Sequence, residues 1–269
     1  MTSPADRFTG QTAVVTGAGT GLGRAFATRL AGGGASAVAL IGRRREMLEA
    51  TAREVEKHCE AVILPIDIRD ADAVEGAMQT VVDQTGRLDI LINNAAGNFL
   101  VKAENLTPNG FNAVVGIVLH GTTYCSLAAG RHMLRQGSGK ILSIVASYAW
   151  MGGPGTLHSA TAKAGVMAMT KTLAVEWGSR NVQVNTLCPG FVDTEQSRDK
   201  LWPTEEGRQE LLDRIPAGRF GTVEEVVDAG LYLCGPGTSY ITGTDLIIDG
   251  GEWLNKGAFV VPEREPASA

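Results

Sequence analysis

The chain has few aromatic residues, few cysteines and no long apolar run. Aromatic side chains make up 6% of its 269 residues, and four cysteines are present. Cys59, Cys125, Cys188 and Cys234 lack the paired spacing of a metal or redox motif, so we expect reduced, packed thiols and no metal site. No apolar stretch reaches the roughly 20 residues that span a bilayer, and the first residues contain no signal-peptide core. The sequence therefore predicts a cytoplasmic protein without a membrane span.

An excess of positive charge is also missing. Lys and Arg number 24 against 29 Asp and Glu, a formal net charge of −5, which gives no support for nucleic-acid binding. Hydrophobic residues make up 44% of the chain without a compositional break, which is enough for one large core. We expect one α/β domain at residues 11–255, an N-terminal extension at 1–10 and a C-terminal tail at 256–269.

Strand-like and helix-like segments alternate along this domain, which predicts a doubly wound parallel sheet of the Rossmann type. The predicted strands after the first lie at 37–41, 61–64, 90–93, 140–145, 182–187 and 246–249. The predicted helices after the first lie at 46–56, 71–85, 111–134, 161–177 and 223–233. A charged, proline-containing region around 193–214 predicts a substrate lid. Ligands of such sheets bind at the carboxyl ends of the strands.

The first strand ends in a glycine-rich turn. Ala13 to Val15 is an apolar run, and Thr16 to Gly23, with the sequence TGAGTGLG, leads into a helix. Glycines here leave backbone N–H groups and the helix N-terminus open to a pyrophosphate. A plain turn is the alternative, but a second strand about twenty residues further on favours a dinucleotide site. Its predicted cofactor contacts are Gly17, Gly19, Thr20, Gly21, Leu22 and Gly23.

The second strand runs into Gly42, Arg43, Arg44 and Arg45. An acidic residue at this point would bind a ribose 2′-hydroxyl and repel a 2′-phosphate, and the segment has none. Guanidinium groups match phosphate geometry. Arg43 and Arg44 therefore favour NADPH as the cofactor. The alternative is that these arginines form the solvated start of the following helix.

Polar residues follow the third and fourth predicted strands. Asp67 follows the third strand, where it would accept a hydrogen bond from an adenine amine or cap the next helix. Asn93 to Phe99, with the sequence NNAAGNF, follows the fourth strand, and its small residues and amides allow cofactor and substrate to approach closely. Alternatively, Asn93 and Asn94 only tie this loop together.

These features together resemble the short-chain dehydrogenase/reductase family over nearly the whole chain. The residues that carry the resemblance are Thr16 to Gly23, Asp67, Asn93 to Gly97, Lys163, Asn185, Pro189 and Gly190. The family typically places a tyrosine four residues before the lysine and a serine about thirteen before the tyrosine. This chain has Ser159 and Ala146 at those positions. The cofactor contacts implied beyond the glycine turn and Arg43 and Arg44 are Asp67, Ile68, Asn94, Ala95, Lys163, Pro189 and Gly190.

A narrower resemblance accounts for the displaced tyrosine. The residues Asn94 to Phe99, Tyr148, His158, Ser159 and Lys163 look like those of the 2,4-dienoyl-CoA reductases within this family. That subgroup takes its tyrosine from the position of Tyr148 and has a serine at the position of Ser159. The likeness extends to residues 168–178, 199–202 and 214–225.

The resemblance implies NADPH-dependent reduction of a 2,4-dienoyl-CoA to a 3-enoyl-CoA in the β-oxidation of unsaturated fatty acids. Hydride would reach the δ-carbon, and catalysis would stabilise the resulting dienolate oxygen, with Tyr148 and Asn98 as donors. Lys163 would hold the nicotinamide ribose, and Ser159 would orient Tyr148 or Lys163. The implied acyl-CoA contacts are Asn98, Phe99, Tyr148 and Lys200. A homotetramer is implied as well.

Several of these residues have a structural alternative. Tyr148 could be a packed aromatic, Ser159 a small packing residue and His158 a structural histidine. Lys200 could be a solvated surface lysine. The alternatives for the whole protein are another acyl-CoA or carbonyl reductase with the same cofactor site, and a non-catalytic NADPH-binding sensor.

His120 is the main departure from the family, which usually carries an asparagine in the segment from Ile117 to Gly121. That asparagine helps to hold a water near the lysine. A histidine also donates and accepts, but it is bulkier and titrates near neutral pH. If His120 lies in this relay, we expect an additional pH dependence of the rate near neutrality.

Overall fold

Seven parallel strands form one sheet. The computed structural model describes residues 6–193 and 204–255. The strands are β1 (Thr12–Thr16), β2 (Ala37–Ile41), β3 (Glu60–Leu64), β4 (Ile90–Asn93), β5 (Gly139–Ile144), β6 (Val182–Pro189) and β7 (Asp245–Ile248). Their order in the sheet is β3-β2-β1-β4-β5-β6-β7, and each neighbouring pair is parallel. The predicted doubly wound sheet of the Rossmann type is confirmed.

Helices cover both faces of the sheet. They are α1 (Gly21–Gly32), α2 (Arg45–Val55), α3 (Ala71–Thr85), α4 (Pro108–Val115), α5 (Thr122–Gln136), α6 (Tyr148–Met151), α7 (Leu157–Trp177), α8 (Glu205–Leu212) and α9 (Val223–Cys234). Successive residues of β1 point to opposite faces. Val15 belongs to a buried cluster with Phe26 of α1 and Val227 of α9. Val14 belongs to a second cluster, with Met78 of α3. Burial on both faces explains why the strands are continuous apolar runs without alternation.

The predicted strands and helices are all present, with ends that differ by at most four residues. The largest difference is at α7, which begins at Leu157 rather than at residue 161, so that Ser159 lies in its first turn. Among the described helices, α6, a single turn that starts at Tyr148, has no counterpart among the predicted elements. One turn is too short to produce a recognisable apolar periodicity. Helix α8 lies within the region predicted as a lid.

A π-helical segment, Gly116–Gly121, joins α4 and α5 into one helical run. Thr107 caps the start of this run, Pro108 is its first residue, and Gly137 ends it in a left-handed conformation. Within the described residues, this is the one helix long and apolar enough to cross a membrane. Half of its most apolar 18-residue stretch is buried inside the protein. The run packs against α3, α7 and the sheet, as a core helix of the fold does.

The segment predicted as an N-terminal extension contributes to the core. Phe8 is buried, and its N–H donates to the carbonyl of Gly33 at 2.8 Å. Residues 194–203 of the predicted lid lie outside the described residues, and so do Lys200 and the predicted tail at 256–269. The four cysteines are free, and three of them are buried.

Candidate active site

A cavity of about 980 Å³ lies at the carboxyl ends of the strands. Its wall is built from the residues that follow β1 to β6, as expected for a doubly wound sheet. The predicted cofactor residues in the wall are Gly17, Gly19, Thr20, Gly21, Leu22, Arg43, Arg44, Asp67, Ile68, Asn94, Ala95, Pro189 and Gly190. Asn98 and Phe99, predicted to bind substrate, also line the cavity. Gly23 is not part of the wall but packs beneath the turn.

The glycine turn is fixed by close backbone packing. Gly17 has a φ of +67°, and a Cβ atom added to it would lie 2.9 Å from Cα of Ala95. A Cβ atom on Gly23 would lie 2.2 Å from the carbonyl oxygen of Gly17. Thr20, which precedes α1, makes no side-chain capping bond. The first backbone N–H groups of α1 therefore face the cavity without a side-chain cap, as a phosphate site requires.

Arg43 and Arg44 are exposed residues of the cavity wall. Within the described residues, neither has a carboxylate within 4.0 Å, whereas the next residue, Arg45, reaches Glu49 at 3.7 Å. Two unpaired guanidinium groups at the end of β2 form a site for an anion. Asp67, another residue of the cavity wall, is paired with Arg69 at 2.6 Å, and that hydrogen bond lowers the pKa of Asp67.

The alternative role of Asp67 as a helix cap is wrong. The residue that caps α3 is Asp70, whose Oδ1 accepts the N–H groups of Asp72 and Ala73, both at 3.0 Å. The carboxylate of Asp67 instead accepts the N–H and guanidinium of Arg69. Asp67 therefore remains a residue of the cavity wall.

Asn93 and Asn94 differ in their surroundings. Asn93 is buried outside the cavity wall, and its amide donates to Ser126 at 2.9 Å and to Ser143 at 3.2 Å. Asn93 therefore links β4 to α5 and β5, in agreement with the alternative that it has a structural role. Asn94 lines the cavity and also donates to the carbonyl of Thr16 at 3.1 Å. Asn94 thus holds the glycine turn against the loop after β4.

Tyr148, Ser159 and Lys163 lie together beside the cavity. The hydroxyl of Tyr148 lies 2.9 Å from that of Ser159. Ser159 and Lys163 are four residues apart on α7 and therefore share one face of the helix. Gly153 supports this arrangement, because a Cβ atom there would lie 3.0 Å from Cβ of Tyr148. The displaced tyrosine thus meets the serine that stands four residues before the lysine.

Burial determines the protonation of these groups. It raises the pKa of Tyr148, against the opposing hydrogen bond from Ser159. Burial lowers the pKa of Lys163 to about 8, against the opposing influence of Cys188. The ammonium of Lys163 donates to the carbonyl of Ile144 at the end of β5. At neutral pH Tyr148 is therefore protonated and can donate a hydrogen bond, and Lys163 is mostly protonated and positively charged.

The three residues do not themselves line the cavity. Val145 and Ala146, which follow β5, form the adjoining part of its wall. Lys163 reaches that segment through the carbonyl of Ile144. Ala146 presents a methyl group where the family has its serine, so the hydroxyl partner of Tyr148 comes from Ser159 on α7.

Asn98 and Phe99 lie on an exposed loop at the cavity. Oδ1 of Asn98 accepts the N–H of Phe99 at 3.0 Å, which leaves the amide nitrogen of Asn98 as a donor. Val101 extends this loop and donates its N–H to Gly155 at 3.1 Å. The loop after β4 is thereby joined to the loop between α6 and α7, which places Asn98 on the same side of the molecule as Tyr148.

The structure does not bring His120 into a relay beside the buried Lys163. His120 is exposed, and its ring lies 6.2 Å from that of Tyr124 on the same helical run. The residues of this segment that pack against α7 are Val118, which is buried in a cluster with Ala162, and Leu119, which lies against Gly165. The π-helical segment adds a residue to one turn and so changes which side chains face α7.

Some residues of the site were not predicted. Ile117, Leu100 and Phe191 line the cavity, and Cys188 is buried close enough to Lys163 to influence its pKa. Phe191 and Cys188 belong to the end of β6, where the position after a strand was the available signal. Ile117 comes from the π-helical segment, for which the sequence carries no comparable signal.

A family model described as enoyl-(acyl carrier protein) reductase matches residues 17–252, from the glycine turn to the end of the sheet. The chain belongs to the short-chain dehydrogenase/reductase family. It is therefore an oxidoreductase whose fold binds a nicotinamide cofactor, and the glycine turn and the cavity wall fit such a cofactor.

Two relatives are similar to the chain over most of its length. A probable 2,4-dienoyl-CoA reductase of Bacillus subtilis, described as (2E)-enoyl-CoA-producing, is 42% identical over 90% of this chain and 96% of its own. A peroxisomal 2,4-dienoyl-CoA reductase of Saccharomyces cerevisiae, described as (3E)-enoyl-CoA-producing, is 34% identical over 92% of this chain and 86% of its own. The resemblance to this reductase subgroup is confirmed.

Two solved structures share the fold. A short-chain dehydrogenase from Bacillus anthracis is 41% identical, with a TM-score of 0.83 over 92% of this chain and 98% of its own. A gluconate 5-dehydrogenase from Burkholderia cenocepacia, solved with NADP and tartrate, is 29% identical, with a TM-score of 0.87 over 93% of this chain and 97% of its own.

Proposed function

We propose that this protein reduces 2,4-dienoyl-CoA thioesters with NADPH. The observation that carries the proposal is the 2.9 Å contact between the hydroxyls of Tyr148 and Ser159, with Lys163 on the same face of α7. This contact supplies a tyrosine donor at a position other than the usual one of the family. The relatives with the same reaction class support the substrate, and the geometry supports the assignment of residues.

The proposed preference for NADPH rests on Arg43 and Arg44. Their guanidinium groups line the cavity and have no carboxylate partner within the described residues, so they are free to bind a 2′-phosphate. An acidic residue in their place would favour a free 2′-hydroxyl instead. The cofactor, when bound, supplies the hydride. Lys163 is proposed to hold the nicotinamide ribose hydroxyls.

Reduction of the diene requires stabilisation of negative charge at the thioester oxygen. Hydride addition at the δ-carbon moves an electron pair through the conjugated system onto that oxygen. We propose that the hydroxyl of Tyr148 and the amide nitrogen of Asn98 donate hydrogen bonds to it. The raised pKa of Tyr148 suits this role, because a neutral hydroxyl donates and a tyrosinate cannot. Ser159 orients the Tyr148 hydroxyl.

The reaction is completed by a proton at the α-carbon. Hydride at the δ-carbon and a proton at the α-carbon convert the 2,4-diene into a 3-enoyl-CoA. Protonation at the γ-carbon instead would give a 2-enoyl-CoA. We propose the 3-enoyl product, with water as the proton source. The relatives are described with different products, so the position of the double bond is measured along with turnover.

The acyl chain is proposed to lie along the exposed apolar side of the cavity. Phe99 is 43% exposed and Leu100 is 59% exposed, and both line the cavity. Leu157, the first residue of α7, is also exposed. Lys200 is proposed to meet a phosphate of CoA. An acyl chain that covered the apolar side chains of Phe99, Leu100 and Leu157 would remove apolar surface from water, which is favourable.

A dienoyl-CoA reductase acts in the β-oxidation of unsaturated fatty acids, and we propose a cytoplasmic homotetramer. Exposed apolar side chains on two of the long helices, Leu127 of α5 and Val175 of α7, support self-association.

A second candidate is reduction of another acyl thioester or a carbonyl group. The family model described as enoyl-(acyl carrier protein) reductase favours this alternative. The test is oxidation of NADPH at 340 nm with a trans-2,trans-4-dienoyl-CoA, beside a trans-2-enoyl-CoA and a 3-ketoacyl-CoA, with NADH as the comparison cofactor. We expect turnover with the dienoyl thioester and NADPH. Activity on the other substrates alone would indicate a different reductase, and no activity on any would support an NADPH-binding sensor.

A further inference from the structure

His158 is a buried histidine whose two ring nitrogens have different surroundings. Nδ1 accepts the backbone N–H of Ser159 at 2.8 Å. Nε2 is buried and has no hydrogen-bond partner within the described residues. A ring nitrogen that accepts an N–H does not carry the proton, so the contact with Ser159 assigns the imidazole proton to Nε2. His158 therefore holds a buried N–H donor without an acceptor, which is uncommon in folded proteins.

His158 contacts the cavity wall through Phe99. The centroids of the two rings lie 4.4 Å apart, with the rings nearly perpendicular at 83°. Phe99 lines the cavity and is 43% exposed, whereas His158 has no exposed surface. One partly exposed aromatic ring therefore covers the imidazole on the side where the acyl thioester is proposed to lie.

Asn98 repeats the arrangement of His158. Its Oδ1 accepts the N–H of the following residue, Phe99, and its amide nitrogen is left to donate. The hydroxyl of Tyr148 adds a further donor, and its partner Ser159 is the residue next to His158. In both Asn98 and His158 a backbone N–H satisfies the acceptor; the donor of His158 is buried without a partner within the described residues, and the donor of Asn98 lies on an exposed residue of the cavity wall. Such a set of groups selects a ligand atom that only accepts, such as a thioester or enolate oxygen.

We propose that His158 is a substrate-binding residue whose Nε2–H donates to the thioester oxygen when the substrate displaces the Phe99 ring. The inference rests on the proposed dienoyl-CoA reductase function and adds a donor to Tyr148 and Asn98. Because Nδ1 is already an acceptor for Ser159, His158 acts as a neutral donor and not as a proton source. Its contribution is then greatest in the transition state, when negative charge develops on the oxygen.

Two substitutions separate this role from a structural one. The short amide of His158→Asn reaches the position of Nδ1 and can accept the Ser159 N–H, but it provides no distal donor. The longer amide of His158→Gln provides a donor near the position of Nε2 and leaves the Ser159 N–H without its acceptor. A histidine with a structural role alone is replaced better by Asn. A histidine that binds substrate is replaced better by Gln.

The experiment measures kcat/KM for a 2,4-dienoyl-CoA, the Kd for NADPH and the Tm of all three proteins. We expect His158→Asn to lose about 10- to 100-fold in kcat/KM, the range for a hydrogen bond to a charged group, with an unchanged Kd for NADPH. We expect His158→Gln to retain more activity than His158→Asn. Full activity of His158→Asn, or greater activity in it than in His158→Gln, would overturn the inference. Wild-type turnover tests the proposed function separately.

A measurement on the wild-type protein keeps the inference testable if the variants do not fold. The chain has four histidines, so labelling with ¹⁵N-histidine gives few ring signals. We expect the Nε2–H signal of His158 to move when a saturated acyl-CoA is added to the enzyme with NADP⁺. The signal is assigned from its coupling to the ring protons that lie close to Phe99. An Nε2–H signal that stays in place while the acyl-CoA binds would overturn the inference.

Discussion

The hydroxyl of Tyr148 lies 2.9 Å from that of Ser159, eleven residues further along the chain. Tyr148 begins the one-turn helix α6 and Ser159 lies in the first turn of α7, so the two helices bring the pair together. The contact opposes the effect of burial on the pKa of Tyr148. This contact is the basis for the proposal that Ser159 orients the tyrosine hydroxyl.

Replacement of Ser159 by alanine is expected to lower kcat by about tenfold, the value of one neutral hydrogen bond, with little change in the KM for NADPH. Loss of the hydroxyl also removes the influence that lowers the pKa of Tyr148, so that pKa is expected to rise further. The pKa is measured by titration of tyrosine absorbance, with Tyr148→Phe as the reference. An unchanged kcat and an unchanged titration would assign Ser159 to packing alone.

Arg43 and Arg44 are expected to determine the choice of cofactor. The double substitution to alanine should raise the Kd for NADPH about 10- to 100-fold and leave the Kd for NADH nearly unchanged, because only NADPH carries the 2′-phosphate. The matched control is Arg45→Ala, since Arg45 reaches Glu49 and does not line the cavity. Cofactor fluorescence measures both constants. An equal loss of affinity for both cofactors would contradict a site for the 2′-phosphate.

Lys163 is expected to make activity decline at alkaline pH. Its pKa is lowered to about 8, so the cofactor-free enzyme loses the ammonium charge as pH rises through that value. The quantity to measure is kcat/KM for NADPH, because it reports the ionisation of the free enzyme. It should be highest below pH 8 and fall above it. In Lys163→Arg the residual activity should not decline near pH 8, because a guanidinium stays charged. A decline shared by both proteins would assign it to another group.

His120 is expected to have no part in the proton transfer. His120 is exposed, and Val118 and Leu119 are the residues of its segment that pack against α7. The profile of kcat between pH 6 and 8 should therefore be the same in His120→Asn and in the wild type. A difference between the two profiles that follows a histidine titration would show that His120 takes part in proton transfer.

The glycine turn and the end of β2 could be predicted because both depend on local sequence. Gly17 has a positive φ and Gly23 packs against the carbonyl of Gly17, both within one strand, turn and helix, and the arginines follow the next strand directly. The position of the carboxylate at the end of β3 was predicted for the same reason. Whether Asp67 or Asp70 caps α3 depends on the residue at which the helix begins, and a segment with two aspartates does not define it.

The orientation of His120 could not be predicted from spacing. A regular α-helix turns by about 100° per residue, so the face of each residue follows from counting. The π-helical segment, Gly116–Gly121, adds a residue to one turn and rotates the following side chains. The buried Nε2–H of His158 could not be predicted either, because its surroundings depend on α7 beginning at Leu157 and on the contact with Phe99. These features arise from tertiary packing.

The most direct test of the account is the turnover of a 2,4-dienoyl-CoA by Tyr148→Phe. The substitution removes one hydroxyl and keeps the ring that packs against Gly153. We expect kcat to fall by at least about 100-fold, as for the loss of one donor to an oxyanion, with the Kd for NADPH unchanged. Wild-type turnover in Tyr148→Phe would contradict the assignment of Tyr148 as the donor and with it the proposed mechanism.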